Sequence, residues 1–209
     1  MAGEPPVKRA MAFFDGQNLF QHAKEAFGHI HPNYDPKKLH EAVCAENGWT
    51  PNAVRFYTGI PEHRHSPMWA GYWANRILAM KRAGIITTTR HLKYRREEFE
   101  IEGVAQSVIL PKEKGIDVRM ALDLVACALT EQFNVAVIYS QDQDLCEAVD
   151  EVKKIAKKAG KFLELCCAFP DGPNASFRRG IAGANWFRMD ETFYNACLDP
   201  YDYRPKRPV

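Results

Sequence analysis

The chain has 209 residues, enough for one α/β domain with a well-buried core. Hydrophobic residues make up 46% of the chain and charged residues 26%, which excludes a disordered or low-complexity protein. The formal net charge of +2 is too small to predict nucleic-acid binding by itself. Any such binding must therefore depend on local clusters of basic residues.

The six cysteines form no CxxC pair and have no metal-ligand spacing. Several lie in apolar stretches, so we expect buried, reduced thiols and a cytoplasmic location. The first residues contain no apolar leader, and no stretch approaches the roughly 18 apolar residues of a membrane span. We therefore expect no membrane partner.

The first predicted element is the short apolar run at 10–14, which ends at Asp15 and Gly16. Such a run is typical of a strand buried on both faces. Runs of this kind, apolar or β-branched, predict strands at 10–14, 53–57, 85–89, 104–110, 135–139 and 162–168. Apolar positions at helical spacing predict helices at 17–27, 69–82, 117–129, 145–158 and 191–197, and a further helix that begins at Asp35 and Pro36 and includes Leu39 and Val43. The segment 91–103 is polar and poorly patterned, so no element is predicted there.

Strands and helices alternate, which predicts an α/β fold: a single Rossmann-like domain with a mostly parallel central sheet and helices on both faces. We expect an N-terminal tail at 1–9, a catalytic domain over 10–170 and a C-terminal extension over 171–209 that packs on the domain. No repeat or linker divides the chain.

Acidic residues follow two of the predicted buried strands. Asp15 ends the first, and Asp142 and Asp144 follow the strand at 135–139, while Asp117 begins a helix. Singly, each is equally consistent with a turn or a helix N-cap. Together they predict one site at the carboxyl ends of the strands, where a cation offsets their repulsion. All-oxygen donors favour Mg²⁺ or Mn²⁺ over zinc and suit phosphodiester cleavage.

Three short motifs in order resemble the NYN domain family, a branch of the PIN-like nucleases. They are FDGQN at 14–18, KGIDV at 114–118 followed by Asp123, and SQDQDL at 140–145. The likeness spans residues 10–168 and is closest to bacterial proteins that consist of one NYN domain. Gln141 stands where the family usually has glycine, and Leu145 where it usually has phenylalanine.

The resemblance implies a PIN-like fold and a metal-dependent endoribonuclease. Matched residue by residue, the catalytic, metal-coordinating acids would be Asp15, Asp117, Asp142 and Asp144. Asn18 and Ser140 would orient a carboxylate, a water or the phosphate, and Lys114 would offer charge to the phosphate. Asp123 points away from Asp117 on its helix, so a supporting contact or a salt bridge is expected for it.

Basic residues form two groups that could bind RNA, single-stranded or structured. The denser group, Arg90, Lys93, Arg95 and Arg96, surrounds an aromatic residue and is equally consistent with a solvated hairpin balanced by nearby glutamates. The pair Arg178 and Arg179 lies on a predicted loop, where ordinary surface charge is the simpler interpretation. Trp69, Tyr72 and Trp73 at helical spacing indicate core packing or a homodimer contact.

Three rival functions stay open. The first is an inactive or weakly active RNA-binding or regulatory protein of the same fold, for which Gln141 is the best argument. A phosphatase of the haloacid dehalogenase type is disfavoured because Gln17 occupies the position of its second aspartate. A nucleotide-binding Rossmann protein is disfavoured because no glycine-rich phosphate loop follows the first strand.

Overall fold

A computed structural model describes residues 3–101 and 104–205. Within them the chain alternates strands and helices as the sequence predicts. The strands are β1 Arg9–Asp15, β2 Thr50–Ile60, β3 Ile86–His91, β4 Lys93–Ile101, β5 Val104–Lys112, β6 Val135–Tyr139, β7 Glu164–Pro170 and β8 Asn185–Met189. The helices are α1 Gly16–Phe27, α2 Pro36–Asn47, α3 Pro67–Arg82, α4 Ile116–Leu129, α5 Cys146–Ala159 and α6 Glu191–Ala196.

Six strands form one parallel sheet in the order β3-β2-β1-β6-β7-β8. The order reverses between β1 and β6, and in open α/β sheets ligands bind beyond the carboxyl ends of the strands at such a reversal. Asp15 is the last residue of β1 and Ser140 directly follows β6. The predicted Rossmann-like architecture is confirmed.

The core consists of two apolar clusters, one on each face of the sheet. Strand β1 contributes to both, since Ala12 and Phe14 face one side while Met11 and Phe13 face the other. Helices α1, α2 and α3 cover the first face, and α4 and α5 cover the second. This double burial explains why β1 is a continuous apolar run.

The polar segment at 91–103 contains a strand that the sequence did not predict. Strand β4 pairs antiparallel with β5 in a hairpin separate from the main sheet. Glu97 and Val108 are a cross-strand pair and both are exposed, so this part of the hairpin buries neither side chain. No alternation of apolar and polar residues is then required, so this segment carries no pattern from which a strand could be predicted. Residues 102–103 lie outside the described residues.

Strand β8 was also missed. It forms the far edge of the sheet, beside β7, and its sequence NWFRM has only one buried residue, Met189. Residues 171–205 therefore add an edge strand and α6 to the main sheet. Residues 1–2 of the expected N-terminal tail and 206–209 of the expected extension lie outside the described residues.

Two further expectations can be compared with the described residues. All six cysteines are unpaired, and five of them are buried. Within 3–101 and 104–205, no helix combines the length and the hydropathy that crossing a bilayer requires.

Candidate active site

Asp15 lies at the junction of β1 and α1 and is only 7% exposed. Its Oδ1 atom caps α1 by accepting a hydrogen bond from the backbone N–H of Asn18 at 3.0 Å, and its Oδ2 atom accepts one from the Ser140 hydroxyl at 3.3 Å. Burial raises the pKa of Asp15 to about 6, and the Asp142 carboxylate adds to the rise while the hydrogen bonds oppose it. The fold therefore places the Asp15 carboxylate where its ionised form is disfavoured.

The loop after β6 is tied to the start of α1 by the two polar residues that the motifs indicate. The Asn18 side-chain oxygen accepts a hydrogen bond from the backbone N–H of Gln141 at 2.9 Å. The Ser140 hydroxyl oxygen accepts one from the backbone N–H of Asp142 at 3.2 Å. Asn18 and Ser140 therefore join the two strand ends at the reversal point and fix Asp142 beside Asp15.

Asp144 occupies a different position from the other three acids. Asp142 caps the single 3₁₀ turn Gln143–Leu145, with its Oδ1 atom accepting a hydrogen bond from the backbone N–H of Asp144 at 3.0 Å. The Asp144 side chain is exposed and does not line the cleft that Asp15 and Asp142 share. The buried Leu145, at the position where phenylalanine is usual, packs into the core.

A further acid, Glu113, was not singled out from the sequence. Its Oε2 atom accepts a hydrogen bond from the backbone N–H of Gly59, at the end of β2, at 2.5 Å. A Cβ atom at Gly59 would overlap this carboxylate, so a side chain at that position would displace Glu113. Burial, with the charges of Asp15 and Asp117 adding to it, raises the pKa of Glu113 to about 7. The sequence did not single it out because the strand predicted at 104–110 ends three residues before it, and only the structure extends that strand to Lys112.

One open cleft of about 510 Å³ gathers these acids from three parts of the chain. We call this pocket the acid cleft. The residues that line it include Asp15, Glu113, Asp117 and Asp142, together with Asn18, Lys114, Gln17 and Gln21. Asp117 reaches it from the first turn of α4, and Gly115, the N-cap residue of that helix, has a φ of 75°. The acid cleft thus brings together Asp15, Asp117 and Asp142, three of the four acids named from the sequence.

The donor chemistry of the acid cleft suits a hard divalent cation, since its charged donors are carboxylate oxygens. Among the residues that the structure describes, however, no three acidic, histidine or cysteine side chains are arranged to hold a metal ion. The carboxylates surround the cleft without closing on one point. Mg²⁺ or Mn²⁺ therefore fits the types of donor atom that line the cleft.

Asp123 lies behind the acid cleft rather than in it. It is 5% exposed and accepts a hydrogen bond from the Tyr57 hydroxyl at 2.9 Å. Its carboxylate also pairs with Arg55 at 3.4 Å and with Arg119 at 2.6 Å. Of the two roles expected for it, the described contacts are those of a salt bridge that fastens α4 to β2.

Gln141 has a structural function that explains the departure from glycine. Its side-chain amide donates hydrogen bonds to the backbone carbonyl oxygens of Phe177 and Arg179, at 3.1 and 2.9 Å. Gln143 donates to the carbonyl oxygen of Gly180 at 3.2 Å. Through these hydrogen bonds the two glutamines hold the loop before β8 against the end of β6.

The basic residues divide by position. Arg90, at the end of β3, places its guanidinium against Gly115, beside the acid cleft. Lys93, Arg95 and Arg96 are exposed on the hairpin strand β4 and do not line that cleft.

The second basic pair, Arg178 and Arg179, lies on the loop to which the Gln141 side chain is hydrogen-bonded. Arg178 donates hydrogen bonds to the backbone carbonyl oxygens of Gly172 and Pro173, at 3.0 and 3.1 Å, so its side chain stabilises the conformation of this loop. Arg179 is exposed on the same loop, and its carbonyl oxygen is one of the two that Gln141 binds.

Comparison with known proteins identifies the fold and the family of the chain. A solved structure of a protein of unknown function from Vibrio parahaemolyticus is 13% identical to the chain, with a TM-score of 0.53, covering 91% of this chain and 98% of that one. At this identity the likeness shows the fold alone. No curated protein matches the chain. The NYN domain family matches residues 9–166, most of the chain and all of the acid cleft, so the protein belongs to the NYN domain family.

Proposed function

We propose that the protein is a metal-dependent endoribonuclease that hydrolyses RNA phosphodiester bonds at the acid cleft. The observation that carries the proposal is the gathering of Asp15, Asp117 and Asp142 from three separate elements at the point where strand order reverses. Membership of a nuclease-like family supports the same conclusion. Uncompensated carboxylates repel one another, so their accumulation in one cleft is best explained by a cation.

Asp15, Asp117 and Asp142 would hold Mg²⁺ or Mn²⁺, with Glu113 at the rim of the same cleft and Asp144 as a more distant acid. When bound, the cation activates a water molecule and neutralises charge on the phosphate.

The other cleft residues position the reactants. Asn18 and Ser140 keep the Asp15 carboxylate and the loop after β6 in fixed relation. Lys114 lines the cleft and Arg90 lies beside it, so both are placed to pair with a phosphate.

The test is cleavage of a circular, internally labelled single-stranded RNA, which only an endonuclease can open. We expect cleavage with Mn²⁺ or Mg²⁺, none in EDTA, and at least a hundredfold slower cleavage by the double variant Asp15→Asn, Asp142→Asn. Asp150→Asn, an exposed acid on α5, is the matched control and should cleave normally. Cleavage that survives the double substitution contradicts the assignment of the site.

A second function, an RNA-binding or regulatory protein without strong catalysis, is favoured by one observation. The described acids are not arranged to hold a metal ion, and Asp144 does not line the cleft. This alternative predicts RNA binding that is unchanged by Mn²⁺ and unaccompanied by cleavage. The same circular RNA, assayed for binding and for opening, separates the two functions.

A further inference from the structure

A second pocket, of about 420 Å³, adjoins the acid cleft. We name it the aromatic groove, after the rings of Phe20, His65, Trp69, Trp73 and Tyr94 that line it. Its size is within the roughly 300–1,000 Å³ of small-ligand sites. Gln17 and Gln21, one turn apart on α1, line both the groove and the acid cleft. The two pockets are thus neighbours that share one wall.

The hairpin formed by β4 and β5 makes the opposite wall of the aromatic groove. The Tyr94 hydroxyl oxygen accepts a hydrogen bond from the backbone N–H of Glu62 at 3.2 Å, and the Tyr94 ring stacks on His65 with ring centres 3.8 Å apart and planes inclined by 25°. The backbone N–H of Leu92 donates to the carbonyl oxygen of Ile60 at 2.9 Å. These contacts hold the hairpin over the groove and bring Ile109 into its lining.

The aromatic groove is a surface feature and not a gap in the core. Ile109 is 50% exposed, His65 is exposed, and Trp69 and Phe20 are only partly buried. Apolar rings left open to water at this density mark a binding surface.

The chemistry of the groove favours a nucleobase as its ligand. Flat apolar faces suit stacking, and the carboxamides of Gln17 and Gln21 offer donors and acceptors to a base edge. Side chains alternate along a strand, so Arg96, two residues after Tyr94, is on the same side of β4 and is the basic residue of that strand nearest in sequence on this side. A ligand with a planar base and an anionic backbone matches this combination.

We propose that the aromatic groove binds one unpaired nucleobase of the RNA strand whose phosphate lies in the acid cleft. The inference rests on the proposed function for the identity of that strand, and it specifies the substrate as single-stranded at this position. In a duplex the base is stacked and paired, so its faces are not available to the rings that line the groove. The groove therefore selects single-stranded RNA, or an unpaired base in a loop, over a continuous duplex.

The test compares two strands of equal length and charge in EDTA, where no cleavage is expected: an ordinary single-stranded RNA and an abasic ribose-phosphate strand. Stacking on an aromatic side chain changes affinity by roughly 5- to 150-fold. We expect the unmodified protein to bind the base-bearing strand about tenfold more tightly than the abasic strand. A duplex of the same sequence should bind no more tightly than the abasic strand.

Variants locate this preference in the groove. Trp69→Leu and Phe20→Leu remove an aromatic face and should each reduce the preference for the base-bearing strand to less than threefold. Trp69→Phe keeps a ring and should retain most of it. Tyr201→Leu removes an exposed ring outside the groove and is the control. Circular dichroism and the thermal midpoint establish that each variant is folded, and the comparison of strands on the unmodified protein does not depend on any variant.

Each outcome has a distinct meaning. Equal affinity of the unmodified protein for base-bearing and abasic strands, or a preference that survives both leucine substitutions, overturns the groove assignment. Because binding is measured without metal, the two proposals fail separately. A protein that discriminates bases but never opens the circular RNA with Mn²⁺ loses the nuclease assignment alone. A protein that cleaves without discriminating bases loses the groove alone.

Discussion

Glu113→Gln is the substitution that best tests the electrostatics of the acid cleft. Glutamine keeps an oxygen that can accept the hydrogen bond from the backbone N–H of Gly59, so the main change is the loss of a negative charge. Burial and the charges of Asp15 and Asp117 disfavour the ionised form of Glu113 in the folded protein. Removing that charge should therefore increase the free energy of unfolding where Glu113 is ionised.

The magnitude follows from the rise in the pKa of Glu113, from an ordinary value of 4.5 to about 7. For a fully buried group this corresponds to roughly 3 kcal/mol. The side chain is partly exposed, so solvent screening reduces the expected gain to about 1–2 kcal/mol. Because the folded pKa is the higher one, the penalty is complete above pH 7 and disappears as the pH falls toward 4.5.

The assay is urea unfolding followed by circular dichroism in EDTA at pH 8 and at pH 5. We expect Glu113→Gln to be more stable than the unmodified protein at pH 8 and nearly equal to it at pH 5. Glu46→Gln, an exposed glutamate on α2, is the matched control and should change stability little at either pH. A variant that is less stable at pH 8, or a gain that is the same at both pH values, would refute the reasoning.

Three further predictions concern residues around the cleft. Gln141→Gly removes two hydrogen bonds to the loop before β8 and should lower the free energy of unfolding by about 1–2 kcal/mol, with faster proteolysis at that loop as the readout. Asp123→Asn weakens a buried ion-pair network and should cost roughly 2–4 kcal/mol in urea unfolding, while Mn²⁺ affinity measured by calorimetry stays within threefold. Asp142→Asn should slow RNA cleavage at least tenfold more than Asp144→Asn, because Asp142 lines the cleft and Asp144 does not; equal losses would contradict this order.

Most of the main sheet could be predicted because its strands are buried on both faces. Such strands are short apolar runs, and β1 and β6 end where Asp15 and Ser140 interrupt the run. The edge strand β8 and the hairpin strand β4 could not be predicted, since their polar and exposed residues form neither an apolar nor a β-branched run. The exposed strands β3 and β5 could be predicted only because they contain such runs.

The candidate site shows the same division. The sequence by itself determined that Asp15 and Asp142 follow buried parallel strands, and parallel strands bring their carboxyl ends to one edge. Only the tertiary structure decided that Glu113 joins them, that Asp144 does not line the cleft, and that a hairpin covers an aromatic groove beside them. The physical reason is that these arrangements depend on contacts between distant residues, such as the bond from Gly59 to Glu113 across 54 positions, which leave no local pattern in the chain.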